Sequence, residues 1–149
     1  MTKDKNDYIG KYEIYKNGIL IDTIFNKVTD QFLNNLISYI TSDNHVNMDI
    51  KYLALGNGTD ELDNKLGNET FRVQYSIAPT RTENIGEVKT EFIILPNEAI
   101  GLIKEIGIFG GDATAEADSG FMISRIPWEY EKTGSDEFVI VRTDIIRRG

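Results

Sequence analysis

The chain has 149 residues, 24 acidic and 16 basic, with no cysteine, one histidine and a formal net charge of −8. This composition excludes disulfides and thiolate metal sites, and it argues against nucleic-acid binding, which needs a basic footprint. No apolar run approaches the roughly 20 residues of a membrane helix, so no membrane insertion is expected.

This length suits a single domain over 1–149, large enough to hold a core without staples. Residues 1–10 are polar up to Tyr8 and lack the apolar stretch of a signal peptide, so fraying is expected there. Residues 11–25 read as two strands around Asn17-Gly18, a pair that tolerates the positive φ of a type I′ hairpin turn. In the next segment Phe32, Leu33, Leu36, Ile37 and Ile40 form the stripe of an amphipathic helix over about 30–41, with Thr29 or Asp30 as its cap. The polar stretch SDNHVN should stop it. Hairpin and helix thus occupy 11–41, and a β-sandwich core is expected over 50–146.

From residue 50 strands alternate with turn clusters. Residues 50–56 read as a buried strand, followed by a loop rich in Gly, Asn and Asp. Residues 71–77 place Phe71, Val73, Tyr75 and Ile77 on one face, and 87–95 place Val88, Thr90, Phe92 and Ile94 on one face. Such alternation is typical of antiparallel sheets.

Residues 102–111, LIKEIGIFGG, are a short apolar run closed by two glycines, hence a buried strand. Alternation from Leu102 points Ile106 and Ile108 to the core and Phe109 to the other face, under the helix or a subunit. Gly107 marks a close approach by backbone or a large aromatic. Residues 110–120 are small and acidic and read as an exposed loop without packing residues. Residues 121–126 form a strand ended by Pro127, with Trp128 and Tyr130 over one end of the core. The last strand, 138–146, starts apolar on both faces, so it lies centrally. The fold expected is a mainly β, antiparallel β-sandwich of about eight strands with one amphipathic helix.

Candidate chemistry is sparse. Gly56-Asn57-Gly58-Thr59 follows a strand, but Glu61 stands where a dinucleotide fingerprint needs glycine, and the P-loop lysine is absent; a glycine-rich turn is the better reading. Asp60, Glu61, Asp63 and Glu69 supply hard oxygens for calcium, yet their spacing is not that of an EF-hand. His45 stands alone in a polar loop, so neither a zinc site nor a Ser-His-Asp set is argued. Two glycosylation sequons, at Asn57 and Asn68, are read as chance. Tyr8, Tyr12, Tyr15, Trp128 and Tyr130 are core or cross-strand residues, or else an exposed contact patch. Open sheet edges offer a second contact site. No catalytic, cofactor-binding or metal-binding residue is assigned.

One ordered set of segments resembles a known group. It comprises YLALGNGT, LGNETFR, GEVKTEFIILPNEAIG, IKEIGIFGG, GFMISRI and TGSDEFVIVRTDI, preceded by YEIYKNG and a helix. These look like small structural proteins of tailed bacteriophages and prophage-derived tail particles. The resemblance covers about 12–146 and implies a β-sandwich that acts in assembly as a tail-fibre, baseplate or appendage component. The chain ends directly after its last strand, which favours a short adaptor, collar or decoration protein over a full fibre.

The function expected is therefore a non-enzymatic virion structural protein acting through oligomeric contacts. Its partners would be other virion or tail proteins and further copies of itself, with a host-surface glycan as an additional candidate. Its place would be the virion, assembled in the host cytoplasm and released by lysis. The alternative is a carbohydrate-binding module, assisted by calcium at the acidic loop 60–69. A carboxylate hydrolase ranks last, because short loops leave little room for a cleft.

Overall fold

The computed structural model describes residues 6–41 and 47–148. Nine strands and one helix follow in order. They are β1 (Asn6–Lys16), β2 (Ile19–Lys27), α1 (Asp30–Ile40), β3 (Ile50–Gly56), β4 (Glu69–Gln74), β5 (Ile77–Arg81), β6 (Glu87–Ile94), β7 (Gly101–Gly110), β8 (Phe121–Lys132) and β9 (Phe138–Arg148). A five-stranded sheet in the order β2-β1-β9-β6-β5 faces a four-stranded sheet in the order β4-β3-β7-β8. Every pairing is antiparallel. The molecule is a β-sandwich.

Local chemistry accounts for the elements. Asn17 and Gly18 have φ of 51° and 84°, as a type I′ turn requires, and close the β1–β2 hairpin. Thr29 caps α1 by accepting a hydrogen bond from the Phe32 N–H. The same residue ties the helix to the edge of β8: its N–H donates to the Ile123 carbonyl and its hydroxyl to the Met122 carbonyl.

The core lies between the sheets. Tyr12, Ile14, Phe92, Ile94, Phe138 and Ile140 from the first sheet meet Leu53, Leu55, Ile103, Ile106, Ile108, Ile126 and Trp128 from the second. Trp128 stacks on Tyr130 at 5.3 Å, and both meet the Phe138 ring edge-on. Together they close one end of the core, as expected.

Several expectations are corrected. Of residues 1–10, expected to fray, 6–10 belong to β1 and pair with β9, and 1–5 lie outside the described residues. The hairpin shares the five-stranded sheet with strands of the 50–146 segment, since β1 lies between β2 and β9. The stretch 71–77 is not one strand. The chain leaves the four-stranded sheet after β4 and joins the other as β5, a fully exposed edge strand containing Pro79. Pro127 does not end β8, because β8 is an edge strand and its proline needs no ladder partner on the open side.

β9 is central, as its two apolar faces suggest. In β7, Ile106 and Ile108 do face the core, but Leu102 is 40% exposed. A bulge between Ile103 and Glu105 resets the alternation, so Ile103 takes the inward place.

Candidate interaction surface

The two outer faces of the sandwich differ. On the four-stranded sheet, alternation after the β7 bulge turns Glu105, Gly107 and Phe109 outward. All are buried, because the loop of residues 57–68 folds back over them. Glu105 holds that loop. Its carboxylate accepts hydrogen bonds from the backbone N–H groups of Gly58 at 2.9 Å, Gly67 at 2.8 Å and Asn68 at 2.8 Å, and from Arg125 Nε at 3.1 Å. An ionised acceptor shared among several donors makes each bond stronger than a neutral one.

The glycine-rich loop thus does bind an anion, but the anion is the chain's own Glu105. A side chain at Gly58 would collide with the facing backbone of Gly67 and Asn68, and one at Gly67 would press on that of Asp60, so glycine there permits close backbone approach.

Leu66 and Phe109 pack under this loop with Ala54, Ala113 and Met122. Phe109 is therefore covered by the loop and by Arg72, whose guanidinium lies 4.4 Å from its ring centre, and not by α1. Arg72 makes a bidentate pair with Glu69 at 2.8 and 2.9 Å and donates to Ser119 and to the Thr114 carbonyl. The loop of residues 110–120 is accordingly part of the cover: Ala113 is buried and the Asp118 N–H donates to Glu69. The segments YLALGNGT, LGNETFR, IKEIGIFGG and GFMISRI, distant in sequence, converge in this one clamp.

The candidates from the acidic loop are dispersed. Glu69 is committed to Arg72, while Asp60, Glu61 and Asp63 are exposed. Among the described residues no group of three or more His, Asp or Glu side chains is placed to hold a metal. His45 lies outside the described residues.

The aromatic candidates do not form one exposed patch. Tyr12 is fully buried, Tyr8 packs on Phe32, and Trp128 is 8% exposed with its indole N–H donated to Asp22. Only Tyr15 lies on the outer face of the first sheet.

Two further buried charges brace the core. Arg142 is fully buried between the sheets; it pairs with Asp144 at 2.9 Å, donates to Ser124 and Asn26, and lies over the Tyr12 ring. Burial, with the Asp144 charge adding to it, pushes the Tyr8 hydroxyl pKa far up. Lys132 donates to the carbonyls of Leu95, Pro96 and Thr133, and burial lowers its ammonium pKa. Asp136 accepts from the Thr133 N–H and hydroxyl, which lowers its own pKa. These interactions shape the Lys132–Asp136 turn.

The outer face of the five-stranded sheet is open. Tyr12, Arg142 and Thr90 point inward, so alternation and register turn Ile9, Lys11, Glu13 and Tyr15 of β1 outward. Val139, Val141, Thr143 and Ile145 of β9 share that face, as do Lys89, Glu91 and Ile93 of β6. On β2 the outward residues include Leu20, 46% exposed, and Phe25, 62% exposed. Thr143 is fully buried at the centre of this face, while its other β1, β6 and β9 residues are partly exposed. A second apolar surface is the stripe of α1: only Phe32 is buried, while Leu33, Ile37 and Ile40 are exposed.

Comparison with protein-family models, curated proteins and solved structures finds no match for this chain. Among the described residues no helix is long and apolar enough to cross a membrane.

Proposed function

We propose that the chain is a non-enzymatic structural protein of a tailed phage or phage-like particle. It is joined to neighbouring virion proteins at the tail, baseplate or fibre attachment. The observation that carries this reading is the contrast between the two outer faces. One is closed by the chain's own loops around Glu105. The other is a broad sheet face of aliphatic and paired charged side chains on which Leu20 and Phe25 are strongly exposed. Exposed apolar side chains that share a face mark contact sites.

The clamp adds support of a second kind. Four of the segments that resemble phage structural proteins supply the side chains and backbone that build it, so that part of the resemblance follows fold-determining residues. Particles purified after host lysis provide the test. Quantitative mass spectrometry should find the chain at a fixed ratio to tail proteins; its absence from intact particles overturns the proposal.

A further inference from the structure

We infer that the occupant of the open sheet face is a second copy of this chain, packed face to face about a two-fold axis. The inference rests on reading that face as a contact surface, and it adds the identity of the partner.

Register divides the face into four rows running across the strands. The first contains Leu20, Tyr15, Val139 and Ile93. In the second, Val141 lies between Glu13 and Glu91. In the third, Thr143 lies between Lys11 and Lys89. In the fourth, Ile145 lies between Ile9 and Glu87. The sequence of rows is apolar, acidic, basic and then apolar at the centre (Ile9, Ile145) with charged ends (Lys27, Glu87).

This order is self-complementary. A two-fold axis lying in the interface and running along the rows, between Val141 and Thr143, lays the acidic row of each copy on the basic row of the other. Glu13 meets the second copy's Lys11, and Glu91 meets its Lys89. The same operation lays Tyr15 on Ile9 and Val139 on Ile145, apolar on apolar. At the rim Ile93 falls on the charged position Glu87 and Leu20 on the charged position Lys27. No shift along the strands preserves this match: moving by one row sets acid on acid. An isologous contact requires such a pattern on a single surface.

The area is adequate. Five strands about 4.8 Å apart, each with about eight residues of about 3.3 Å rise, give a face of about 600 Å² per copy. Two such faces bury about 1,200 Å², the lower end of specific stable interfaces. Aligned sheets cross at about 30°, so the match is best at the centre, where β9 carries Val141 and Thr143.

Sedimentation velocity over the micromolar range tests the inference on the full chain. The wild type should be a dimer. Glu13→Lys/Glu91→Lys makes both central rows basic and Lys11→Glu/Lys89→Glu makes both acidic. Each variant alone should dissociate with affinity reduced at least about 100-fold, since facing like charges cost several kcal/mol. Mixing the two should restore a dimer.

Circular dichroism verifies folding, and a cysteine-free chain allows a second readout independent of charge. Val139→Cys mixed with Ile145→Cys should be joined by a thiol-reactive linker spanning about 10 Å, the separation of packed sheets, more efficiently than either alone. A monomeric wild type, a dimer that neither charge variant weakens, a mixture that does not reassociate, or no preference in cross-linking overturns the inference. A monomeric protein that is nevertheless present in purified particles overturns the second-copy partner and leaves the virion reading standing.

Discussion

Replacing Glu105 tests the clamp. Its side chain is fully buried and serves three backbone donors and Arg125. Glu105→Ala leaves the Arg125 guanidinium without its partner, and such truncations of buried pairs cost about 3–5 kcal/mol. The three N–H groups lose their acceptor as well, each worth about 1 kcal/mol or more where water cannot replace it. The loop can open and hydrate, so the terms do not add, and about 4 kcal/mol is expected. Glu105→Gln retains one acceptor oxygen but turns an NH2 toward donors, and about 2 kcal/mol is expected.

Urea unfolding reads these values as lower midpoints, with an unchanged m-value if the cooperative unit stays the same. At 149 residues the alanine variant should melt about 10 °C lower. Hydrogen exchange adds a local readout: the Gly58, Gly67 and Asn68 amides should lose protection in the glutamine variant before the strands do. A glutamine variant within about 0.5 kcal/mol of wild type, with those amides still protected, refutes the clamp; that is the range of an ordinary surface substitution.

Other substitutions probe the packing around it. At Gly107 an added Cβ would lie 2.8 Å from Leu66 Cδ2 and 3.2 Å from Phe109 Cε1. Gly107→Val should therefore cost about 1–3 kcal/mol by overpacking, measured by urea titration; an unchanged midpoint contradicts the close approach. At Gly10 an added Cβ would overlap the Arg142 guanidinium. Gly10→Ala should displace the guanidinium from Asp144, with a loss of about 3 kcal/mol or more in the same assay, whereas Ile9→Ala, on the open face, should cost less.

Acid titration addresses the Lys132–Asp136 turn. Hydrogen bonds from the Thr133 backbone and then its side chain hold the Asp136 pKa below its ordinary value of 3.8, burial opposing them. A carboxylate depressed in the folded state contributes stability above its unfolded pKa and loses it as pH falls through the folded pKa. Stability should thus drop below about pH 4, and the drop should be shallower in Asp136→Asn. Identical pH profiles for the two proteins would refute the role given to Asp136.

Much of the fold was legible because its signals are local. Asn17-Gly18 specifies a turn by its own φ preferences, and Thr29 with the stripe from Phe32 specifies a capped helix. The central place of β9 was legible from its apolar residues on both faces. Edge strands were not, since whether Pro79 or Pro127 is tolerated depends on which neighbour a strand lacks.

The clamp left a weaker signal. Glu105 is a charge inside an apolar strand, but its partners come from loops distant in sequence. Arg142 likewise lies within an apolar run, and its partners are equally remote. Nothing local says that the loops cover one sheet and leave the other open. The helical stripe was read correctly as helix and overestimated as core, because Leu33, Ile37 and Ile40 remain exposed.

The most direct measurement is incorporation of Val141→Glu into particles grown in a host supplying only the variant. Val141 lies at the centre of the open face on β9, half-buried and away from the core. The variant should fold, with wild-type circular dichroism and a melting temperature within a few degrees, and should be missing from purified particles. Incorporation at the wild-type ratio would contradict the assignment of that face as the contact surface.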